Sequence, residues 1–260
     1  MDLNLIGHKV LITGASQGIG RAVAKQLAAE GCDLCLVARS EADLAALKSE
    51  IGDAHNVAVD ILPADLSVSA NQQAVADRWP DVDILVNNAG AIPGGRIDEV
   101  DEATWRAAWD LKVFGYINMT RHYYALMKAR GKGVILNIIG AGGERPAANY
   151  IAGATANAGL MAFTKALGGD SAADGIRVVG LNPGPVATDR LVRLMRTLAE
   201  EKFGDAERWE EIVTPLPFGR AATSEEIASM TAFLVSDLSA YTSGTIVTVD
   251  GGHSNRGSLM

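Results

Sequence analysis

Apolar residues along the chain fall into two alternating patterns. Short unbroken runs such as VLIT, LCLVA, ILVN, VILNII, VVGLN and TIVTV predict strands at 9–13, 33–38, 56–61, 82–87, 134–139, 177–182 and 245–249. Runs without polar alternation are what strands covered on both faces require. Between them, apolar positions recur at helical spacing and predict helices at 19–30, 41–51, 68–79, 103–128 and 153–173. Strand–helix alternation of this kind implies an α/β fold, a Rossmann-like doubly wound parallel sheet of about seven strands with helices on both faces. A single dinucleotide-binding domain over residues 1–260 is expected, with no linker, repeat or low-complexity tract. One segment breaks the rhythm. Residues 188–217 are helical, charged and long for a connection, and predict a helical substrate lid within the domain.

Composition agrees with a globular chain: 48% of residues are hydrophobic and 21% charged. The net charge of −8, with no long basic run, argues against nucleic acid or an anionic membrane surface as a partner. The opening residues carry no cationic stretch ahead of a long apolar core, and no run approaches the ~18 uncharged residues of a membrane span. A cytoplasmic protein is expected. Cys32 and Cys35 have the C-x-x-C spacing of redox pairs and half zinc sites. They lie on a strand-like run with no second Cys/His cluster, which predicts two structural core residues and no metal site. His8, His55, His122 and His253 are scattered and lack metal-ligand spacing.

The first strand runs into Thr13-Gly14-Ala15-Ser16-Gln17-Gly18-Ile19-Gly20, followed at once by a helix. Gly14 allows a tight turn, Gly18 lets backbone amides approach a pyrophosphate, and Gly20 lets the helix pack on the strand. Phosphates then sit on the helix N-terminus, where unpaired N–H groups and the dipole favour anions. Placed after the first strand of a βαβ series, Gly14, Ser16, Gln17, Gly18, Ile19 and Gly20 predict a dinucleotide cradle. Strand two ends in Ala38-Arg39-Ser40, without the acid that holds a ribose 2′-hydroxyl in NAD sites. Arg39 can pair with a 2′-phosphate, so NADP(H) is preferred over NAD(H).

With these motifs the chain resembles the short-chain dehydrogenase/reductase family over nearly its whole length. The TGxxxGxG spacing matches, as do Asn87-Asn88-Ala89-Gly90, the turn Asn182-Pro183-Gly184-Pro185-Val186-Ala187-Thr188, and Ser243-Gly244 with Asp250-Gly251-Gly252. The resemblance implies that Asp65 and Leu66 lie beside the adenine and that Asn88, Ala89 and Gly90 line the cofactor channel. It likewise puts Pro183, Gly184, Val186 and Thr188 on the nicotinamide side.

The family's proton-handling group is missing. The resemblance assigns its tyrosine to Gly153, its lysine to Asn157, its serine to Gly140 and its helix asparagine to Lys112. Losing a positioned acid or base typically costs 10²–10⁴ in rate. Tyr150, seven residues before Asn157, has the tyrosine-to-lysine spacing of the divergent enoyl-acyl-carrier-protein reductases. Lys112 and Asn157 invert the family's asparagine and lysine. Tyr150 and Lys112 are therefore candidates for a relocated acid and charge pair, with Asn157 the third catalytic candidate. The expected function is NADP(H)-dependent hydride transfer to a carbonyl or activated C=C substrate. Two alternatives stay open: a catalytically inactive NADP(H)-binding protein or partner subunit, and a non-redox lyase or isomerase in the same cleft. Arg190, Arg193 and Arg196 beside Leu191, Leu194, Met195, Phe203 and Trp209 on the lid suit an apolar small molecule with an acidic end. Trp105, Trp109, Val113, Tyr116 and Ile117 make the long helix more apolar than one covered face needs. A homo-oligomer, dimer or tetramer, is expected from that excess and from the resemblance.

Overall fold

The computed structural model describes residues 2–256. Seven strands, β1 (Lys9–Thr13), β2 (Asp33–Ala38), β3 (Val59–Pro63), β4 (Ile84–Asn87), β5 (Gly133–Ile138), β6 (Ile176–Pro183) and β7 (Ile246–Val249), form one sheet in the order β3-β2-β1-β4-β5-β6-β7. Every neighbouring pair is parallel. This is the doubly wound sheet that the apolar runs predict.

Two helical layers cover it. Helices α1 (Gly18–Ala29) and α2 (Glu41–Ala54) lie on one face, with the late helix Ser224–Val235. Helix α3 (Ser69–Arg78) lies on the other, with the helix Gly115–Arg130. Side chains alternate between the layers with the two-residue period of a strand. Val10 and Ile12 of β1 join Leu27, Leu47 and Ile227 on one side, while Leu11 joins Val75, Tyr123 and Met127 on the other. The same period separates the cysteines: Cys32 belongs to the first layer and Cys35 to the second. Both are free and buried, and burial pushes each thiol up to about 12. They are core residues, as expected.

The helix expected at 103–128 is three pieces: α4 (Glu102–Trp109), a π-helical turn Asp110–Phe114, and α5 (Gly115–Arg130). A widened turn within a helix often marks a functional position, and this one carries Lys112. Strand β3 starts three residues later than the 56–61 expectation, because pairing with β2 begins at Leu34↔Val59 and the Ala58 amide is taken by the Asp33 carboxylate at 2.8 Å. Further along are α6 (Ile151–Asp170), α7 (Asp189–Phe203), α8 (Trp209–Val213) and α9 (Ser224–Val235). Helix α9 lies outside the expected elements, although its sequence carries a signal: Thr223 and Glu226 form a reciprocal capping box. Part of the apolar excess on the long helix is covered within the chain, since Trp105, Trp109 and Val113 pack with Ile92, Ala152 and Ala156. No helix among the described residues is long and apolar enough to cross a membrane.

The end of α9 is held by β6. The Arg177 guanidinium donates to the carbonyls of Leu234 at 2.9 Å, Val235 at 3.2 Å and Ser236 at 3.0 Å, and to that of Thr242 at 3.3 Å. It thus satisfies carbonyls that the helix leaves open and puts a cation at the negative end of the helix dipole. Replacing Arg177 with Met should lower the unfolding free energy by about 2–4 kcal/mol, read by urea denaturation.

Candidate active site

Strand order reverses between β1 and β4, and chain segments leaving the two strands part to opposite faces. A crevice opens at such a switch point, beyond the C-terminal ends of the strands. Here it is a cleft of about 850 Å³ whose walls come from the ends of β1, β2, β4, β5 and β6.

The cleft floor is fastened by polar contacts. The Thr13 hydroxyl accepts from the amides of Asn88 at 2.9 Å and Ala89 at 3.0 Å. The Asn88 side chain in turn donates to the carbonyls of Thr13 at 3.0 Å and Gly14 at 3.1 Å. Gly14, with φ +65°, makes the turn, and Gly20 permits the approach: a Cβ on Gly20 would lie 2.2 Å from the Gly14 carbonyl oxygen and 2.5 Å from the Asn88 amide nitrogen. Both glycines do what their spacing predicts. Beneath β4 and β5, buried Asn87 donates to Thr120 at 3.1 Å and to Asn137 at 2.9 Å, and Asn137 donates to Thr164 at 2.9 Å. Strands and helices are thereby tied in one network under the cleft.

Gly14, Ser16, Gln17, Gly18, Ile19, Arg39, Leu66, Asn88, Ala89, Gly90, Pro183, Gly184, Val186 and Thr188 all line the cleft, and a Cβ on Gly18 would lie 3.1 Å from the Thr188 methyl group. Gly20 and Asp65 are not on its walls. Gly20 lies behind the loop, and the Asp65 carboxylate stays on its own turn, accepting from the amide of Ser67 at 2.9 Å and its hydroxyl at 2.8 Å. Those two bonds, with the nearby Arg39 charge, hold the carboxyl below its ordinary range.

The three residues singled out as catalytic candidates line the same cleft around Gly140. The π-helical turn carries Lys112 to the end of β5, where its ammonium donates to the Ile139 carbonyl at 2.7 Å and reaches that of Ile138 at 3.5 Å. Tyr116, one turn on, donates its hydroxyl to the Ile138 carbonyl at 2.8 Å. Asn157 is buried, and its Nδ2 lies 3.0 Å from where a Cβ on Gly140 would stand. Its Oδ1 has no hydrogen-bond partner. The Tyr150 ring occupies the space over Gly153: a Cβ there would fall 2.0 Å from the ring carbon that bears the hydroxyl. The sequence pattern puts Tyr116 on the apolar stripe of the long helix and His253 among scattered histidines, and gives neither of them nor Ser254 a place in the site. The last two line the cleft with His253 Nδ1 and Ser254 Oγ both unpartnered. The i,i+4 spacing of Lys112 and Tyr116 was the one signal available for Tyr116.

A family model described as enoyl-(acyl carrier protein) reductase matches residues 14–254. A 3-oxoacyl-(acyl-carrier-protein) reductase of Vibrio cholerae is 32% identical over 254 residues, 96% of this chain and 98% of that protein. The chain belongs to the short-chain dehydrogenase/reductase family. An L-xylulose reductase of Bos taurus is 32% identical over 253 residues, covering 97% of this chain and 98% of its own. The crystal structure of L-sorbose reductase from Gluconobacter frateurii, complexed with NADPH and L-sorbose, superposes with a TM-score of 0.93 at 30% identity, over 98% of this chain and all of that one. Family membership makes the chain an oxidoreductase, and it disfavours the inactive and non-redox alternatives.

Gly153 stands where the family's tyrosine is expected, and the ring of Tyr150 fills that space from three residues earlier. The Lys112 ammonium is pushed down to about 8, first by burial and then by the charge of Arg190. Burial raises the Tyr150 phenol, and Arg190 pulls it the other way. Among the described residues no group of three or more His, Cys, Asp or Glu is placed to hold a metal ion.

The lowered Lys112 value has a measurable consequence. Between about pH 8 and the ordinary lysine value of 10.5, the folded chain has lost this proton while the unfolded chain keeps it. The unfolded state then binds more protons, and stability relative to a Lys112→Met variant rises with pH. Denaturant titrations from pH 7 to pH 10.5 should move the difference towards the parent protein by at most about 3 kcal/mol. A constant difference over that range would contradict the burial of an unpaired ammonium.

Proposed function

We propose that the chain is an NADP(H)-dependent oxidoreductase that reduces a carbonyl or activated C=C compound with a relocated proton-handling group. The observation that carries the reading is the Tyr150 ring over Gly153, with Lys112 and Asn157 on the same cleft. The cradle suits the cofactor on its own terms. Gly14, with φ +65°, and Gly18, with φ +54°, bring bare backbone to the cleft wall, and the unpartnered Asn157 Oδ1 is a buried acceptor that lacks a donor. In this reading Gly14, Ser16, Gln17, Gly18 and Ile19 hold the pyrophosphate and Arg39 the 2′-phosphate. Leu66 borders the adenine with Asp65 on the turn behind it, Asn88, Ala89 and Gly90 line the channel, and Asn157 takes a hydroxyl of the nicotinamide ribose. Pro183, Gly184, Val186 and Thr188 border the nicotinamide, and segment 188–217 is the substrate lid of a single domain.

When bound, the nicotinamide supplies the hydride. The electron pair displaced onto the substrate oxygen is met by Tyr150, which donates its phenol proton. The Lys112 ammonium stabilises the same developing charge from its half-buried position on the cleft wall. Lys112 is held in place by the Ile139 carbonyl, so little reorganisation is needed during reaction. Arg39, replacing the acid of NAD sites, supports NADP(H) over NAD(H).

Two measurements test this. Fluorescence titration should give tighter binding of NADPH than NADH, and Arg39→Ala should weaken NADPH about ten- to a hundred-fold while leaving NADH unchanged. In a screen of ketones and enones, Tyr150→Phe should lower kcat by about 10²–10⁴ with NADPH affinity retained. Activity should decline as pH rises through about 8, where Lys112 loses its charge. Full turnover in Tyr150→Phe would remove the assignment.

A further inference from the structure

The chain has an acidic surplus, yet unmatched cations gather at one end of its cleft. The ionisable side chains there are Lys112, Arg145, Tyr150, Asp189, Arg190 and His253. Nine ion pairs occur among the described residues, and none of them includes Lys112, Arg145 or Arg190. Each of the three is satisfied by neutral carbonyls instead: Lys112 by Ile139, Arg145 by His253 at 2.8 Å, and Arg190 by Ile92 at 2.7 Å. A carbonyl satisfies a hydrogen bond but leaves the charge uncompensated. Lys112 and Arg190 are close enough that the Arg190 charge weakens proton binding at Lys112. Two like charges sharing a partly dehydrated cavity repel each other, and an anion placed between them relieves that cost.

In the oxidoreductase reading the dinucleotide phosphates are held by the glycine loop and by Arg39, which leaves Lys112, Arg145 and Arg190 for a second anion. It must come with the substrate. Resting on the oxidoreductase reading above, we infer that the substrate is a carbonyl or enone compound bearing a single carboxylate, which Arg190 holds while the reacting oxygen faces Lys112. The guanidinium fork matches a carboxylate in two parallel hydrogen bonds. A dianion fits worse. The start of α7 is already occupied by its own Thr188 cap, which accepts from the Leu191 amide at 3.4 Å, and by the Asp189 carboxylate in the first turn. The rest of the substrate is apolar. Leu191 and Leu194 line the cleft from the same helix, and Leu194 is 53% exposed with no core to join.

Binding of a carboxylate probe tests the inference without turnover. Benzoate and its neutral methyl ester are titrated calorimetrically into the protein, with and without saturating NADP⁺, after nucleotide binding has been measured separately. Benzoate should bind at least about ten-fold more tightly than the ester. Arg190→Met should remove that preference, Arg190→Lys should keep part of it, and Arg193→Met, on the same helix but off the cleft, should leave it intact. Equal binding of acid and ester, no benzoate binding, or unchanged benzoate affinity in Arg190→Met overturns the site. Displacement of benzoate by an equal concentration of inorganic phosphate overturns its assignment to a monoanionic carboxylate. Absence of nucleotide binding refutes the oxidoreductase reading instead, and the nucleotide-free titration still judges the carboxylate site.

Discussion

Everything at this site depends on the clasp between β1 and β4. Chain segments leaving these strands go to opposite faces of the sheet, so their ends have no covalent reason to stay together. Thr13 and Asn88 supply the reason: one hydroxyl accepts two amides across the gap, and one side-chain amide returns two bonds to carbonyls of the glycine turn. Without this exchange the turn after β1 would leave buried carbonyls unpaired, at a cost of about 1–3 kcal/mol each. The absence of a side chain at Gly20 is part of the same device, since the Asn88 amide and the Gly14 carbonyl both occupy its side-chain space. The cleft is wide because the strands part, and its shape is fixed because their ends are sewn.

The rebuilt end of the cleft follows a logic of exchanged volumes. A glycine at position 153 costs helix propensity, about 1 kcal/mol relative to alanine, and in return it admits an aromatic ring from the preceding turn. A glycine at position 140, with φ +132°, leaves open the space that the Asn157 amide borders. The lysine of the family pattern is absent from α6 but a lysine arrives from the facing π-helical turn, where the missing Cβ of Gly90 makes room for its stem: a Cβ there would lie 2.8 Å from Lys112 Cδ. The volume at Gly153 and the room beside Gly90 are thus filled by side chains from other segments, Tyr150 and Lys112.

The layers and the cradle were legible in sequence because they depend on local rules. Unbroken apolar runs mark a sheet covered twice, and a glycine motif between strand and helix constrains backbone geometry within eight residues. Strand β1 falls at 9–13 as predicted, because both its faces are buried and its ends are set by polar contacts. Strand β3 is displaced because it lies at the sheet edge, half-buried to Leu62 and exposed at Pro63, where pairing with Asp33 outweighs hydrophobic pattern. The π-helical turn was invisible, since five-residue hydrogen bonding leaves no signature in apolar spacing over so short a stretch. That Gly153 and Tyr150 share one volume could be suspected from the sevenfold spacing to Asn157, but only three-dimensional packing reveals that the ring fills the missing side chain's place. The His253 and Ser254 contribution was unreadable, because 59 positions separate His253 from Leu194, the residue before it on the cleft wall.

Charge completes the account. A half-buried ammonium without a carboxylate is costly for a fold to keep, and neutral residues of similar length exist. Its retention beside a second cation makes sense where negative charge appears transiently, as on a substrate oxygen that receives an electron pair. A resident carboxylate would neutralise Lys112 in the ground state and waste its field on a permanent partner. Neutral carbonyls, at Ile138 and Ile139, hold the ammonium in position while leaving its charge available. The stability lost by burying Lys112 is thus the counterpart of a preorganised field. In the proposed mechanism that field meets the negative charge developing on the substrate oxygen.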